Sequence, residues 1–293
     1  MAIDKILNTY HFNSLDDAYK QLIADVLNCG DVVESRIGAT TELLWKSFIL
    51  TDPRNRIIRN TERKLSLKFA FGEFIWIMSG SDKVDDIAFY NKRMRDFSDD
   101  GETLHGAYGK RLRNWNGKDQ IQLVIDKLRQ FPSTRQAVLS IYDPELDAGI
   151  ETKDFPCNSF LQLFIRNNAL YMSVFVRSQD LYLGLPYDIF HWTMLQELIA
   201  NELVIDLGTY YHIMGSLHIY DSNKARLQRV SRYPVDSRPM QKFSLKFSEI
   251  NRLIDIDRSV RNCTILLTKK ANLSNFESLV LRALQNENIM AEI

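Results

Sequence analysis

Between Ser159 and Arg177 the chain runs Ser-Phe-Leu-Gln-Leu-Phe-Ile-Arg, then Asn167-Asn168, then Ala-Leu-Tyr-Met-Ser-Val-Phe-Val-Arg. Both flanks are rich in aromatic and branched apolar residues, and the asparagines between them tolerate positive φ, so the pattern is that of a β-hairpin. A hairpin closed at 167–168 leaves its other end open and sets the residues before Ser159 beside those around Arg177. Cys157, in Asp154-Phe-Pro-Cys157-Asn158, then becomes a neighbour of Arg177. A guanidinium beside a thiol favours the thiolate, which is the nucleophilic form. On these residues alone Cys157 is either such a nucleophile or a small buried apolar residue. Cys29 and Cys263 have no comparable setting and read as buried small hydrophobes.

The rest of the chain predicts helices and strands in mixed order. Residues 15–28 have apolar positions at helical spacing behind Ser14 as an N-cap, and about 63–79 is apolar on most sides and so central. Further helices are expected at 118–130 on the surface, at 187–203 and at 274–285, with a mostly helical exit at 219–230. Besides the hairpin, strands are expected at 135–142 and 210–218. Elements that do not strictly alternate point to an α+β fold, a mixed twisted sheet flanked by helices, rather than a doubly wound one. No repeat or Pro/Gly/Ser-rich linker divides residues 1–293, which read as a single domain. A chain of this length buries about 75% of its unfolded surface and needs no covalent staples.

Composition removes several classes of function. Three cysteines without paired spacing or a Cys/His cluster argue against disulfides and a metal site, and for a reducing cytoplasm. No apolar run nears the roughly 18–20 residues of a membrane span, so a soluble protein with no membrane partner is expected. The 37 basic and 37 acidic residues balance to zero formal charge. That argues against an obligate nucleic-acid partner and leaves room for a local anion site and a small phosphorylated ligand.

Several short motifs follow one another: Arg36-Ile-Gly-Ala-Thr-Thr41, Gly72-Glu73-Phe-Ile-Trp76, Tyr108-Gly109-Lys110, Arg135, Asp154-Phe-Pro-Cys157-Asn158, Arg177-Ser178-Gln179-Asp180, Leu183-Gly184-Leu185-Pro186-Tyr187-Asp188, and His218 with Tyr220. Over residues 34–223 this order resembles the thymidylate synthase superfamily. The resemblance implies that family's fold, with a sheet face forming a homodimer interface. It implies Cys157, Glu73, Tyr108 and Asp188 as catalytic residues, and 5,10-methylenetetrahydrofolate as co-substrate. Arg36, Arg177 and Ser178 would bind the phosphate of a pyrimidine nucleoside monophosphate, with Arg135 reaching the partner subunit's phosphate. Asn158, Gln162 and Asp188 would line the rest of the nucleotide site, His218 and Tyr220 would hold the sugar 3′-hydroxyl, and Asp180 and Gly184 would face the folate. Taken alone, Arg36–Thr41 is also an ordinary surface turn. A carboxylate such as Glu73 on so apolar a helix is costly unless it has a partner or a task.

The departures from the family pattern are informative. Asp188 stands where thymidylate synthases carry asparagine. A carboxamide can donate to uracil O4 and accept from N3–H, whereas a carboxylate accepts from the exocyclic amine of cytosine. Asp188 can also be read as a solvated carboxylate at a helix N-terminus. Together with Cys157-Asn158 and Gly215-Ser216-Leu217-His218, the change resembles the phage deoxycytidylate hydroxymethylase branch. In that chemistry Cys157 adds to pyrimidine C6, C5 takes up the one-carbon unit, and water rather than hydride quenches the exocyclic methylene. No tryptophan lies in Tyr90–Phe97, where the family packs one, so a wetter pocket is expected unless Phe97 or Trp115 fills the gap. Gln136 replaces a second phosphate arginine, and residues 236–293 diverge and receive no function. The expected activity is dCMP hydroxymethylation. The alternatives are dCMP methylation, dUMP methylation and a non-catalytic nucleotide- or RNA-binding relative.

Overall fold

The computed structural model describes residues 9–35, 38–264 and 273–293. In chain order its first elements are β1 (Tyr10–Phe12), α1 (Leu15–Cys29), β2 (Asp31–Ser35), β3 (Gly38–Leu50), α2 (Leu67–Ser79), α3 (Val84–Ala88), α4 (Tyr108–Arg113) and α5 (Gln120–Gln130). They are followed by β4 (Val138–Ser140), α6 (Pro144–Asp147), β5 (Asn158–Arg166), β6 (Ala169–Asp180), α7 (Leu185–Leu203), β7 (Asp206–Tyr220), α8 (Asp221–Val230), α9 (Asn251–Arg261) and α10 (Asn275–Leu284). The strands form one mixed sheet in the order β1-β3-β7-β6-β5-β4, with β2 paired to β3. β6 runs parallel to β7 and antiparallel to β5. The mixed α/β architecture expected from the sequence is the one observed.

The hairpin organises the sheet. Asn167 and Asn168 both take positive φ, 50° and 58°, as a tight two-residue connection requires. At the open end Arg177 N–H donates to Cys157 O at 2.9 Å, which joins the two residues as the sequence suggested. β6 then continues to Asp180, and α7 starts behind it with Pro186 in its first turn. From Leu185 to Ala200, α7 is buried at nearly every position and packs on β6 and β7. On the other face of the sheet Phe160 and Tyr211 are each 39% exposed, and Phe160 stacks on Phe175 with ring centroids 5.7 Å apart.

Several elements differ from expectation. The strand expected at 135–142 is only Val138–Ser140, because it pairs on one side alone, with β5. The central helix begins at Leu67 rather than near 63, since Lys64 takes φ 50° and Ser66 accepts from Phe69 N–H as N-cap. Cys29 and Cys263 are exposed, not buried. Residues beyond 236 cover α2: both α9 and α10 pack on it, and Phe276 lies between Phe71 and Phe243, stacking on the latter at 4.3 Å. Among the described residues no helix is long and apolar enough to cross a membrane.

Candidate active site

Cys157 sits one residue before β5, half-buried, with Arg177 Nη2 3.9 Å from its sulfur. The guanidinium is aimed by the backbone, donating from Nε to Pro156 O at 2.9 Å and from Nη2 to Phe155 O at 3.1 Å. Burial pushes the thiol up to about 11. Arg177 opposes this, and the carboxyl groups of Asp188, Asp154 and Asp180 reinforce it. The cysteine is thus a held thiol whose ionisation depends on the balance between Arg177 and the surrounding acids.

Asp188, in the first turn of α7, is the centre of a buried polar network. Oδ1 accepts from Asn158 Nδ2 at 3.0 Å and Oδ2 from Gln179 Nε2 at 2.8 Å. Asn158 Oδ1 in turn accepts from Trp192 Nε1 at 3.1 Å. Gln179 Oε1 lies 2.8 Å from His212 Nε2, and Tyr210 Oη lies 2.9 Å from His212 Nδ1. Asn158, Gln179, His212, Tyr210 and Trp192 are all at most 1% exposed. Burial raises the Asp188 carboxyl to about 6, against the two amide donors that stabilise its charge.

Glu73 projects from α2 into the same region. Burial first, then the charges of Asp188 and Asp154, hold its carboxyl well above the usual range. His191, one turn into α7, places Nε2 3.3 Å from Glu73 Oε2. Burial depresses this imidazole to about 3, so the ring is neutral beside Glu73, and its Nε2 makes no hydrogen bond among the described residues. Tyr108, at the start of α4, packs tilted on Trp192 at 5.7 Å, and burial pushes its hydroxyl well up. Asp154 accepts from Gly106 N–H at 2.8 Å, and a Cβ at Gly106 would lie 2.5 Å from Asp154 O, so this approach depends on glycine.

The structure thus brings Cys157, Asn158, Arg177, Asp188, Glu73 and Tyr108 together. Asp180 lies beside them, its Oδ1 accepting from Tyr182 N–H at 2.7 Å and Leu183 N–H at 2.9 Å. Its strand partner across the β6–β7 ladder is His218, whose ring packs edge-on against Tyr220 at 5.2 Å. Ser178 is half-buried between Arg177 and Gln179 on β6, and Gly184 precedes α7 against the Gln179 amide. Gln162 and Arg135 stand apart: Gln162 Nε2 donates to Arg135 O at 2.9 Å, four residues up β5 from Asn158, roughly 13 Å along the strand. Arg36 lies outside the described residues. Sequence reasoning missed Gln179, His212, Tyr210, Trp192, His191 and Asp154. For Gln179 the signal was present, a polar residue inside a motif, whereas the two β7 residues carry none beyond inward alternation. Among the described residues no three His, Cys, Asp or Glu side chains are grouped as metal ligands.

A thiol beside a guanidinium, a raised carboxyl and a hydrogen-bonded carboxylate therefore stand together, a set that can hold an anion and carry out nucleophilic and acid–base chemistry. The model of the family described as "Thymidylate synthase" matches residues 17–264. The chain is 35% identical over 214 residues to the "Deoxyuridylate hydroxymethyltransferase" of Bacillus phage SP01, covering 69% of this chain and 56% of that protein. It is 33% identical over 259 residues to the protein of the same name from Delftia phage PhiW-14, covering 78% and 72%. It is 28% identical over 233 residues to the "Thymidylate synthase" of Enterobacteria phage T4, covering 73% and 80%. The match to the SP01 protein therefore spans little more than half of that relative's length. The names of the two hydroxymethyltransferases carry deoxyuridylate, where the residues of this chain led to an expectation of deoxycytidylate.

Proposed function

Because this chain belongs to the thymidylate synthase family, we propose that it transfers a one-carbon unit to C5 of dCMP and releases 5-hydroxymethyl-dCMP, working as a homodimer. 5,10-Methylenetetrahydrofolate supplies the one-carbon unit at the formaldehyde oxidation level. Asp180, held by two backbone N–H groups beside Cys157, is the acceptor that the ring N–H and amino groups of a pterin require, so the residues present fit a reduced folate.

The single observation that carries the choice of base is Asp188. A dUMP site needs a side chain that donates to O4, and Asp188 accepts at both oxygens from Asn158 and Gln179. The cytosine amino group is a donor that suits it. Arg177 binds the phosphate and stabilises the Cys157 thiolate, which bonds to C6 and makes C5 a nucleophile. Once the one-carbon unit is on C5, loss of the C5 proton and cleavage of that unit's bond to the folate nitrogen would release tetrahydrofolate and leave an exocyclic methylene; water adds to that carbon, and the C6–sulfur bond then breaks to return the Cys157 thiolate. Glu73 holds and returns protons around the ring, helped by His191. Arg135 and Gln162, distant from Cys157 in their own chain, sit toward the aromatic sheet face, which suits contribution to a second copy's phosphate site.

The names of the relatives favour a second reading, hydroxymethylation of dUMP. Incubation with methylenetetrahydrofolate and C5-tritiated dCMP or dUMP, with product mass and dihydrofolate absorbance followed together, separates the readings. Tritium release from dCMP with a hydroxymethyl mass and no dihydrofolate is expected. Release confined to dUMP would transfer the assignment to the second reading, and dihydrofolate would make the product a methyl group.

A further inference from the structure

With Asp188 as a carboxylate, the polar groups behind it take one direction of hydrogen bonding. Asp188 as a carboxylate has no proton to give, so the Gln179 amide must present Nε2–H₂ to Oδ2, at 2.8 Å. That orientation leaves Gln179 Oε1, an acceptor only, facing His212 Nε2, so the imidazole carries its proton on Nε2. His212 Nδ1 is then an acceptor and takes its hydrogen bond from the Tyr210 hydroxyl at 2.9 Å. Tyr210 and His212 are two residues apart on β7, so strand alternation turns both inward, and both are 0% exposed. Gly184 lets the chain close on Asp188: a Cβ there would lie 3.0 Å from Gln179 Nε2 and 3.5 Å from Asp188 Oδ2.

We propose that Tyr210, His212 and Gln179 are positioning residues that keep Asp188 an acceptor-only carboxylate and so make the site select a 4-aminopyrimidine over a 4-oxopyrimidine. This rests on the reading of Asp188 as the base anchor. Each pyrimidine presents one donor and one acceptor to Asp188, so one proton must enter either pair. With cytosine that proton can sit on N3, a basic ring nitrogen, and Asp188 stays the carboxylate that the relay favours. With uracil O4 is a carbonyl of negligible basicity, so the proton must sit on an Asp188 oxygen already accepting from Gln179 or Asn158. The relay opposes the second arrangement and not the first. It also connects β7 to the base through side chains that never touch the substrate.

The test combines selectivity with the state of the imidazole. kcat/KM for dCMP and dUMP is measured for the wild type, Tyr210→Phe and Gln179→Leu, with thermal melting to verify folding. The histidine tautomers are read from ¹⁵N shifts of selectively labelled protein, which holds only 5 histidines. The wild type is expected to show the Nε2–H tautomer at His212. Tyr210→Phe, which leaves Nδ1 without its donor, is expected to lower the dCMP:dUMP ratio about tenfold, and Gln179→Leu, which removes the acceptor facing Nε2, to lose the tautomer and lower the ratio at least as far. A wild-type ratio below one overturns the cytosine reading itself. A wild-type ratio above one that stays within about twofold in folded variants leaves that reading standing and overturns the relay. Should Gln179→Leu fail to fold, Tyr210→Phe, which removes one hydroxyl, decides alone.

Discussion

Asp188 is held in an environment that penalises its charge. Burial raises it from 3.8 to about 6, against the hydrogen bonds of Gln179 and Asn158, with Asp180 adding to the rise. A carboxyl raised in the folded state contributes its full stability below its unfolded value and loses it as the pH rises through the folded value. At about 1.4 kcal/mol per pH unit the difference amounts to about 3 kcal/mol, lost between about pH 4 and pH 6. The melting temperature of Asp188→Asn is therefore expected to rise by several degrees relative to the wild type between pH 4 and pH 8, on top of a constant penalty for turning its NH2 toward the Gln179 or Asn158 amide. The same change should move turnover from dCMP toward dUMP, because a carboxamide donates to O4. Melting curves at the two pH values and kcat/KM for both nucleotides check this. At this scale the sequence was legible where contiguous motifs set which residues meet, as for Cys157, Arg177 and Asp188. It was not legible where a residue acts through a distant strand: Tyr210 and His212 look like ordinary inward positions of β7 until the fold sets them behind Gln179.

Elements decide how closely these residues can approach. The Asn167-Asn168 turn sets the register that pairs Cys157 O with Arg177 N–H, and both asparagines occupy positive φ. Asn168→Val should lose about 1–2 kcal/mol of stability, because a β-branched residue is strained there, whereas Asn168→Gly should be nearly neutral; urea unfolding measures both. At the start of α7, Gly184 has φ −87°, so alanine meets no backbone penalty. Its Cβ would instead press on the Gln179 amide, and Gly184→Ala should lower kcat/KM for dCMP about fivefold to tenfold with little change in melting temperature. The hairpin, α1 and α7 were readable because local chemistry and tertiary packing agree there. The segment 135–142 was not, since β-forming composition does not reveal that a strand lies at a sheet edge with one neighbour. The start of α2 depended on the backbone turn at Lys64, which apolar periodicity cannot show.

On the scale of the whole molecule, one face of the sheet carries α7 and the site, and the other leaves Phe160 and Tyr211 exposed beside Phe175, the face proposed to meet a second copy. The C-terminal helices, which the sequence left without a role, close the outside of α2 and so back the helix that carries Glu73. If Arg135 completes the partner's phosphate site, Cys157→Ala and Arg135→Ala proteins, each nearly inactive alone, should regain up to about a quarter of wild-type activity when mixed. Their heterodimer holds one site with both residues intact. The overall account joins a nucleophile, a base anchor and a folate-supplied carbon in one pocket, and a 5-fluoro nucleotide tests that union most directly. Fluorine at C5 cannot depart as a proton does, so the reaction halts with the base bonded to Cys157. Peptide mass after incubation with methylenetetrahydrofolate and an equimolar mixture of 5-fluoro-dCMP and 5-fluoro-dUMP, followed by proteolysis, should show the adduct of the cytosine nucleotide and folate on the peptide containing Cys157. An adduct formed with the uracil nucleotide alone, or none on that peptide, would contradict the account.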